Sequence, residues 1–290
     1  MELFLNFLAS GLVIGSIYGL IAIGFAVIFK TTGVLNFAQG EVMMLVAYVS
    51  WSLATELDLP LVLLIPLVVV AAAAIGALLE RIFIRPMLGE PVFAIIMVTI
   101  GLAVTLRSVI VLIWGADAAA FDVPLKGGLI EIGPVVLFTE QLFAIVLFLV
   151  VALAIFLFFR FTRIGTAMRA TAQDETTALL MGVDVKRISM LAWAIAAVVS
   201  GLAGIAFAMM ISRAPDMWFL GLRAFPATIL GGLDAPLGSG LGGLLIGVIG
   251  DLSEGYIGQG LKEISGFVVI IVILMVRPYG LFGQRELERV

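Results

Sequence analysis

The side chains in this sequence that could do chemistry are few, and their spacing suits binding, pairing and movement better than bond cleavage. In Leu35-Asn36-Phe37-Ala38-Gln39-Gly40-Glu41, the polar residues Asn36, Gln39 and Glu41 fall within about two helical turns at the start of an apolar run. Gly33 and Gly40 beside them permit an unwound or closely packed backbone. A carboxylate at the edge of hydrocarbon is expensive unless it faces protein or water. The segment therefore reads as an element of a transport pathway or gate, with an ordinary interfacial helix start as the plainer account. Arg107 lies inside another apolar run and must pair or face water. Glu41, Glu140, Asp251 and Glu254 are its candidate partners. It is either a contact for a transported molecule or a snorkelling or bracing cation.

Enzymatic chemistry is largely excluded. With no His and no Cys, the chain has no thiol nucleophile, no histidine acid–base group, no Ser-His-Asp triad and no histidine-bound metal. Asp251 and Glu254 are too simply explained as charges three apart on a short external turn to make an aspartyl-type pair, which needs two carboxylates sharing a proton. Gly255-Tyr256-Ile257-Gly258-Gln259-Gly260-Leu261-Lys262 only approaches the phosphate-loop pattern, because its Lys is displaced. No metal and no cofactor of its own are expected.

The most informative polar stretch runs from Arg163 to Gly182. It contains good helix formers and no Pro, and it ends at a glycine suited to terminate a helix, with Asp184 placed to cap the next one. Met168, Ala172 and Leu179 recur at helical spacing, with Arg169, Gln173 and Asp174 elsewhere on the wheel. Surface helices that lie on lipid carry Lys or Arg on their polar face. Here Asp174 and Glu175 stand mid-segment, which favours docking into a protein groove.

The elements that must position these groups are membrane spans. Of 290 residues, 63% are apolar and 12% charged, with a net charge of −4, which fits neither a soluble core nor a nucleic-acid binder. Apolar runs fall at about 3–29, 41–57, 60–79, 91–114, 139–159, 188–211, 224–250 and 263–277. They are continuous rather than alternating, so they are helices and not barrel strands. The start is too long and too acidic at Glu2 for a cleaved signal peptide. The run at 224–250 is interrupted by Gly231, Gly232, Asp234, Pro236, Gly238, Ser239 and Gly240, which no lipid-facing helix would accept. The expected fold is an all-α polytopic membrane protein of eight to nine transmembrane helices, some short or broken, forming one domain over 1–290. Gly231, Gly232 and Ser239 then flank either a broken-helix pathway or gate element, whose second half could offer backbone N–H groups to a carboxylate, or a tight turn. Gly11, Gly15 and Gly19 make a smooth stripe for close helix packing, either within the chain or against a second subunit.

Sidedness follows from the cations. One set of loops holds Lys30, Arg81, Arg85, Arg160, Arg163, Arg169, Lys186, Arg187, Arg277, Arg285 and Arg289; the other holds only Lys126, Arg213, Arg223 and Lys262. The richer side is expected to be cytoplasmic, with the N-terminus outside and the C-terminus inside. Residues 160–187 then form the largest cytoplasmic loop, 115–138 (with Asp117, Asp122, Pro124, Gly127, Gly128, Gly133 and Pro134) an external loop with a small hairpin, and 278–290 a charged, frayed tail.

With these residues in hand, the sequence resembles the permease subunits of branched-chain amino acid ABC importers, of the shorter, LivH-type kind. The resemblance rests on Leu35 to Glu41, Ile164-Gly165-Thr166-Ala167-Met168-Arg169-Ala170-Thr171-Ala172-Gln173-Asp174, Leu180-Met181-Gly182, Gly231-Gly232 with Gly238-Ser239-Gly240, and Arg277-Pro278-Tyr279-Gly280-Leu281-Phe282-Gly283. It implies a bacterial inner-membrane permease paired with a second, homologous permease subunit, two cytoplasmic ATPase subunits that use the ATP, and a periplasmic binding protein. It also implies that the helix at 166–182 couples to an ATPase, through Met168, Arg169, Ala172, Gln173, Asp174 and Glu175. Related permeases serve urea, short amides or other amino acids, so the cargo is less specified than the family. An ion-coupled carrier would need acids deep in its spans, whereas most here sit near span ends.

Overall fold

The computed structural model describes residues 2–57, 60–121, 127–133, 135–211 and 214–283. Asp122, Pro124, Lys126 and Pro134 of the external loop, and Arg213, Arg285 and Arg289 of the charge pattern, lie outside the described residues. The described chain is all-α apart from one hairpin. Its helices are α1 (Glu2–Thr32), α2 (Gln39–Leu57), α3 (Leu61–Leu79), α4 (Val92–Trp114), α5 (Thr139–Phe161), α6 (Arg163–Gln173), α7 (Glu175–Leu180), α8 (Val185–Met210), α9 (Phe219–Gly231), α10 (Pro236–Tyr256) and α11 (Leu261–Val276). Strands β1 (Leu129–Ile132) and β2 (Val135–Phe138) pair antiparallel, Leu129 opposite Phe138, as a small hairpin.

Six stretches are long and apolar enough to cross a membrane: Glu2–Thr32, Val62–Met87, Val92–Trp114, Thr139–Phe161, Val185–Met210 and Pro236–Tyr256. Three further apolar helices, α2, α9 and α11, bring the count to the expected eight to nine. The short piece is α9, whose 13 residues span roughly 20 Å against a hydrocarbon core of roughly 30 Å. This is a multi-pass membrane protein.

The centre of the bundle is α1, buried almost continuously from Gly11 to Ile28. Its glycine stripe lies against α10 of the same chain, not against another subunit. A Cβ at Gly11 would come within 2.6 Å of Val248 Cα, and one at Gly15 within 2.9 Å of Leu244 Cα. From the other side, a Cβ at Gly243 would strike the backbone of Gly19, and one at Gly247 that of Gly15. In lipid no hydrophobic effect drives helices together, so such backbone proximity supplies the packing. Around this pair, Gly201 and Gly204 of α8 seat Val46 and Met43 of α2, and Gly76 of α3 sits on Ala197 of α8. The outer helices α3, α4, α5 and α11 keep apolar faces open, with Val62, Leu112 and Met275 among the most exposed side chains.

Three expectations are corrected here. The single helix over 163–182 is two, because Asp174 ends α6 and caps α7. Asp251 and Glu254 belong to the last turns of α10 rather than to an external turn. The start of the tail is not frayed: Leu281 N–H donates to the Leu230 carbonyl (2.8 Å) and Phe282 N–H to that of Gly231 (3.1 Å).

If the α1–α10 contact organises the bundle, Gly243→Val should lower the thermal midpoint of the detergent-purified chain by an amount equivalent to about 3 kcal/mol. Gly101→Ala, at a helical glycine with open space around it, should leave the midpoint unchanged. A Gly243→Val chain as stable as the parent contradicts the packing account.

Candidate functional site

The expected pathway residues at 36–41 form a closed polar knot where α1, α2, α4, α8 and α9 converge. Asn36, Gln39 and Glu41 are all buried. Asn36 turns the chain into α2: its carbonyl oxygen Oδ1 accepts from Ala38 N–H (3.0 Å), while its Nδ2 donates to Gln39 Oε1 (2.9 Å). Gln39 Nε2 in turn donates to Ser200 Oγ (2.5 Å) and to the Ala196 carbonyl (3.3 Å), tying α2 to α8. Gly24 of α1 leaves room for this bridge, since a Cβ there would come within 2.6 Å of Gln39 Nε2. Phe37 N–H donates to Thr99 Oγ1 on α4 (3.3 Å).

Of the four candidate partners, Glu41 is the one that meets Arg107, at 2.5 Å. The guanidinium also lies over the Trp218 ring, 3.5 Å from its centroid. A cation held between a carboxylate and an aromatic face gains both charge pairing and a cation–π contact in a weakly screened setting. Gly40 makes this possible, because it and Gly221 of α9 approach backbone to backbone. Trp218 escaped the sequence reading, since nothing local marks an aromatic residue over a hundred positions away as a partner. Of the other candidates, Glu254 is exposed near the end of α10, and two are engaged elsewhere. Glu140 accepts from Gly127 N–H (3.3 Å), and Asp251 pairs with Lys262 beside the Arg223–Glu263 pair.

Gly231, Gly232 and Ser239 lie at a closed turn between α9 and α10. Gly232 adopts φ +107°, a region that glycine tolerates. Ser239 is fully buried and its hydroxyl donates to the Gly232 carbonyl (2.8 Å). Gly231 touches Gly238 and Ser239 backbone to backbone, and Gly280 and Gly283 fold over the turn. The geometry is that of a sealed joint rather than an open lumen.

The outward element is α6–α7. Thr162 caps α6 by accepting from Gly165 N–H (2.9 Å), and Gly165 packs on the backbone of Phe158 and Phe159. Met168 is buried in the bundle core, so it anchors α6 instead of facing a partner. Arg169, Ala172, Gln173, Asp174 and Glu175 are exposed. Asp174 accepts from both the backbone N–H and the hydroxyl of Thr177 (3.0 and 2.7 Å), and these bonds, the backbone one first, hold its carboxyl below the ordinary carboxylate range. At the end of α7, Leu180 and Met181 stand 83% and 80% exposed. In the sequence they stand only as part of Leu180-Met181-Gly182, with nothing local to mark their exposure. Among the described residues no group of three or more Asp or Glu side chains is placed to hold a metal.

The chain is similar to known proteins along nearly its whole length. Residues 7–277 match the family described as "Branched-chain amino acid transport system / permease component". The high-affinity branched-chain amino acid transport system permease proteins BraD of Pseudomonas aeruginosa and LivH of Escherichia coli are each 31% identical, covering 99% of this chain and 98% of theirs. A probable LivH of Methanocaldococcus jannaschii is 25% identical over 95% of this chain and 91% of its own. A chain in the solved structure of PsaBC from Streptococcus pneumoniae in complex with Fab shares the fold, with a TM-score of 0.52, 14% identity and 94% and 93% coverage of this chain and that one.

Two tests follow from the site. Arg107→Met alone strands a buried carboxylate and should cost about 3 kcal/mol, whereas adding Glu41→Gln should recover much of that loss; additive thermal shifts would show that the pair is not coupled. The depressed Asp174 carboxyl makes the α7 cap present above the ordinary carboxylate pKa and lost as pH falls through its lowered folded value. Hydrogen exchange at Thr177 should therefore be faster in Asp174→Ala at neutral pH, and equal rates would remove the cap.

Proposed function

This chain belongs to the family of branched-chain amino acid transport system permease components, and from that premise we propose that it is the membrane-spanning subunit of an ATP-binding cassette importer for branched-chain, hydrophobic amino acids. The observation that carries the proposal is the match along nearly the whole chain to permeases of that named transport system. In this reading the chain pairs with a second, homologous permease, two cytoplasmic ATPase subunits dock beneath, and a periplasmic binding protein delivers the amino acid. The chain performs no bond chemistry of its own, and ATP is used by the ATPase subunits.

The placement of charge supports an inner-membrane orientation with the N-terminus periplasmic and the C-terminus cytoplasmic. Lys30, Arg160 and Arg169 come together at one end of the bundle, while Arg223 and Lys262 share a separate ion-pair cluster. The exposed α6–α7 segment is then the coupling element. Arg169, Ala172, Gln173, Asp174 and Glu175 offer a polar outer face, and Leu180 and Met181 an apolar tip, for a groove on an ATPase. Because α6 is pinned by Met168 and Thr162, a push on α7 reaches α1, α5 and α8 as a displacement of packed helices. The knot of Asn36, Gln39, Glu41 and Arg107 and the joint at Gly231, Gly232 and Ser239 are where such a displacement would change access along the path.

The test is uptake by proteoliposomes holding the complete complex, offered leucine, isoleucine, valine, urea, acetamide and glutamate. ATP-dependent uptake of the three branched-chain amino acids is expected. Uptake driven by an ion gradient without ATPase subunits contradicts the importer, and ATP-driven uptake of urea or acetamide alone contradicts the cargo. Replacing Leu180 and Met181 by Glu should preserve membrane insertion yet weaken ATPase association by about tenfold or more; unchanged association would exclude the α7 tip as the docking point.

A further inference from the structure

A cavity of about 420 Å³ opens where the ends of α1 and α5 meet the start of α10 and the flank of α6. Lys30, Arg160 and Arg169 line it, and among the described residues no carboxylate does. Lys30 donates one of its three N–H bonds to the Asp234 carbonyl (2.9 Å) and also feels the charge of the Asp234 side chain. The rest of the lining is apolar, including Phe156, Phe159, Leu241 and Phe282. Phe156 and Leu241 are also 38% and 45% exposed on the outer faces of α5 and α10. The first turn of α10 adds the positive end of a 21-residue helix.

Among the described residues, these cations gather at a helix-end boundary above apolar walls with no carboxylate in the lining. A free small anion would satisfy the charge but leave the apolar walls uncovered. An amphiphile with a phosphate head satisfies both, and basic pockets between spans are suited to such headgroups. We propose that this cavity binds an anionic phospholipid of the leaflet that meets α6, its phosphate held by Lys30, Arg160 and Arg169 and its acyl chains lying along Phe156 and Leu241. Arg169 belongs to α6, so an occupied site ties the outward α6–α7 segment to the ends of α1, α5 and α10. This depends on the membrane-spanning fold alone and not on the identity of the cargo.

The experiment places the full chain in phosphatidylcholine bilayers doped with spin-labelled phosphatidylglycerol or spin-labelled phosphatidylcholine, and measures the motionally restricted fraction of each. The parent chain should restrict the phosphatidylglycerol label about threefold more than the phosphatidylcholine label. That preference should fall toward parity in Arg160→Gln, persist in Arg160→Lys, and persist in Arg163→Gln, which removes an exposed cation of α6 that does not line the cavity. Parity in the parent, or the same preference in Arg160→Gln, overturns the site. Inorganic phosphate, compared with chloride at matched ionic strength, should not alter the preference. Its abolition by phosphate would reassign the cavity to a small free anion and overturn the lipid.

Discussion

The rest of the structure depends on the direct backbone contact between α1 and α10. Helices in hydrocarbon have no water to escape from, so they associate where small residues let main chains touch and dispersion contacts accumulate. Gly11, Gly15 and Gly19 on one side, and Gly243 and Gly247 on the other, leave no room for a single added carbon. Once α1 is fixed this way it becomes a buried mast, with α8 and α5 packed on its other flanks and α9 delivered alongside by the turn into α10. The C-terminal segment from Arg277 to Gly283 completes the arrangement by bonding to the carbonyls that α9 leaves free at its end.

That scaffold makes a costly set of buried polar groups tolerable. An amide, a carboxylate and a guanidinium packed among apolar helices are acceptable only with partners. Here Asn36, Gln39, Ser200, Glu41, Arg107 and Trp218 supply one another, joining α2, α4, α8 and the start of α9. Such a network is directional, so it fixes how those helices sit relative to one another in a way that interchangeable apolar contacts do not.

Much of this was legible in the sequence, and the limits have physical causes. The apolar runs gave the spans because hydrocarbon thickness dictates their length, and the interrupted run at 231–240 read as a break because no lipid-facing backbone can leave its hydrogen bonds unmade. The glycine stripe announced close packing, but not that α10 of the same chain lies against it, since a smooth face carries no address. Arg107 announced a need for a partner, and four acids met that need equally until tertiary structure chose Glu41. The split at Asp174 was missed because helix propensity favoured continuity, while the bonds from Thr177 let Asp174 cap a new helix. For the same reason Met168 and Leu179, one apolar face on a continuous helical wheel, separate into a buried anchor and an exposed residue.

The central claim is that one rigid α1–α10 core carries an outward coupling segment, α6–α7, whose movement is felt at the polar knot. A reconstruction of the assembled importer in a bilayer, solved with and without trapped nucleotide, addresses it most directly. The account predicts that the glycines of α1 and α10 remain in contact within this chain in both states, that an ATPase subunit covers Leu180 and Met181, and that α6–α7 shifts between states relative to the Glu41–Arg107 pair. A glycine stripe of α1 seated on the other permease, or an α7 tip left bare in the complex, would contradict it.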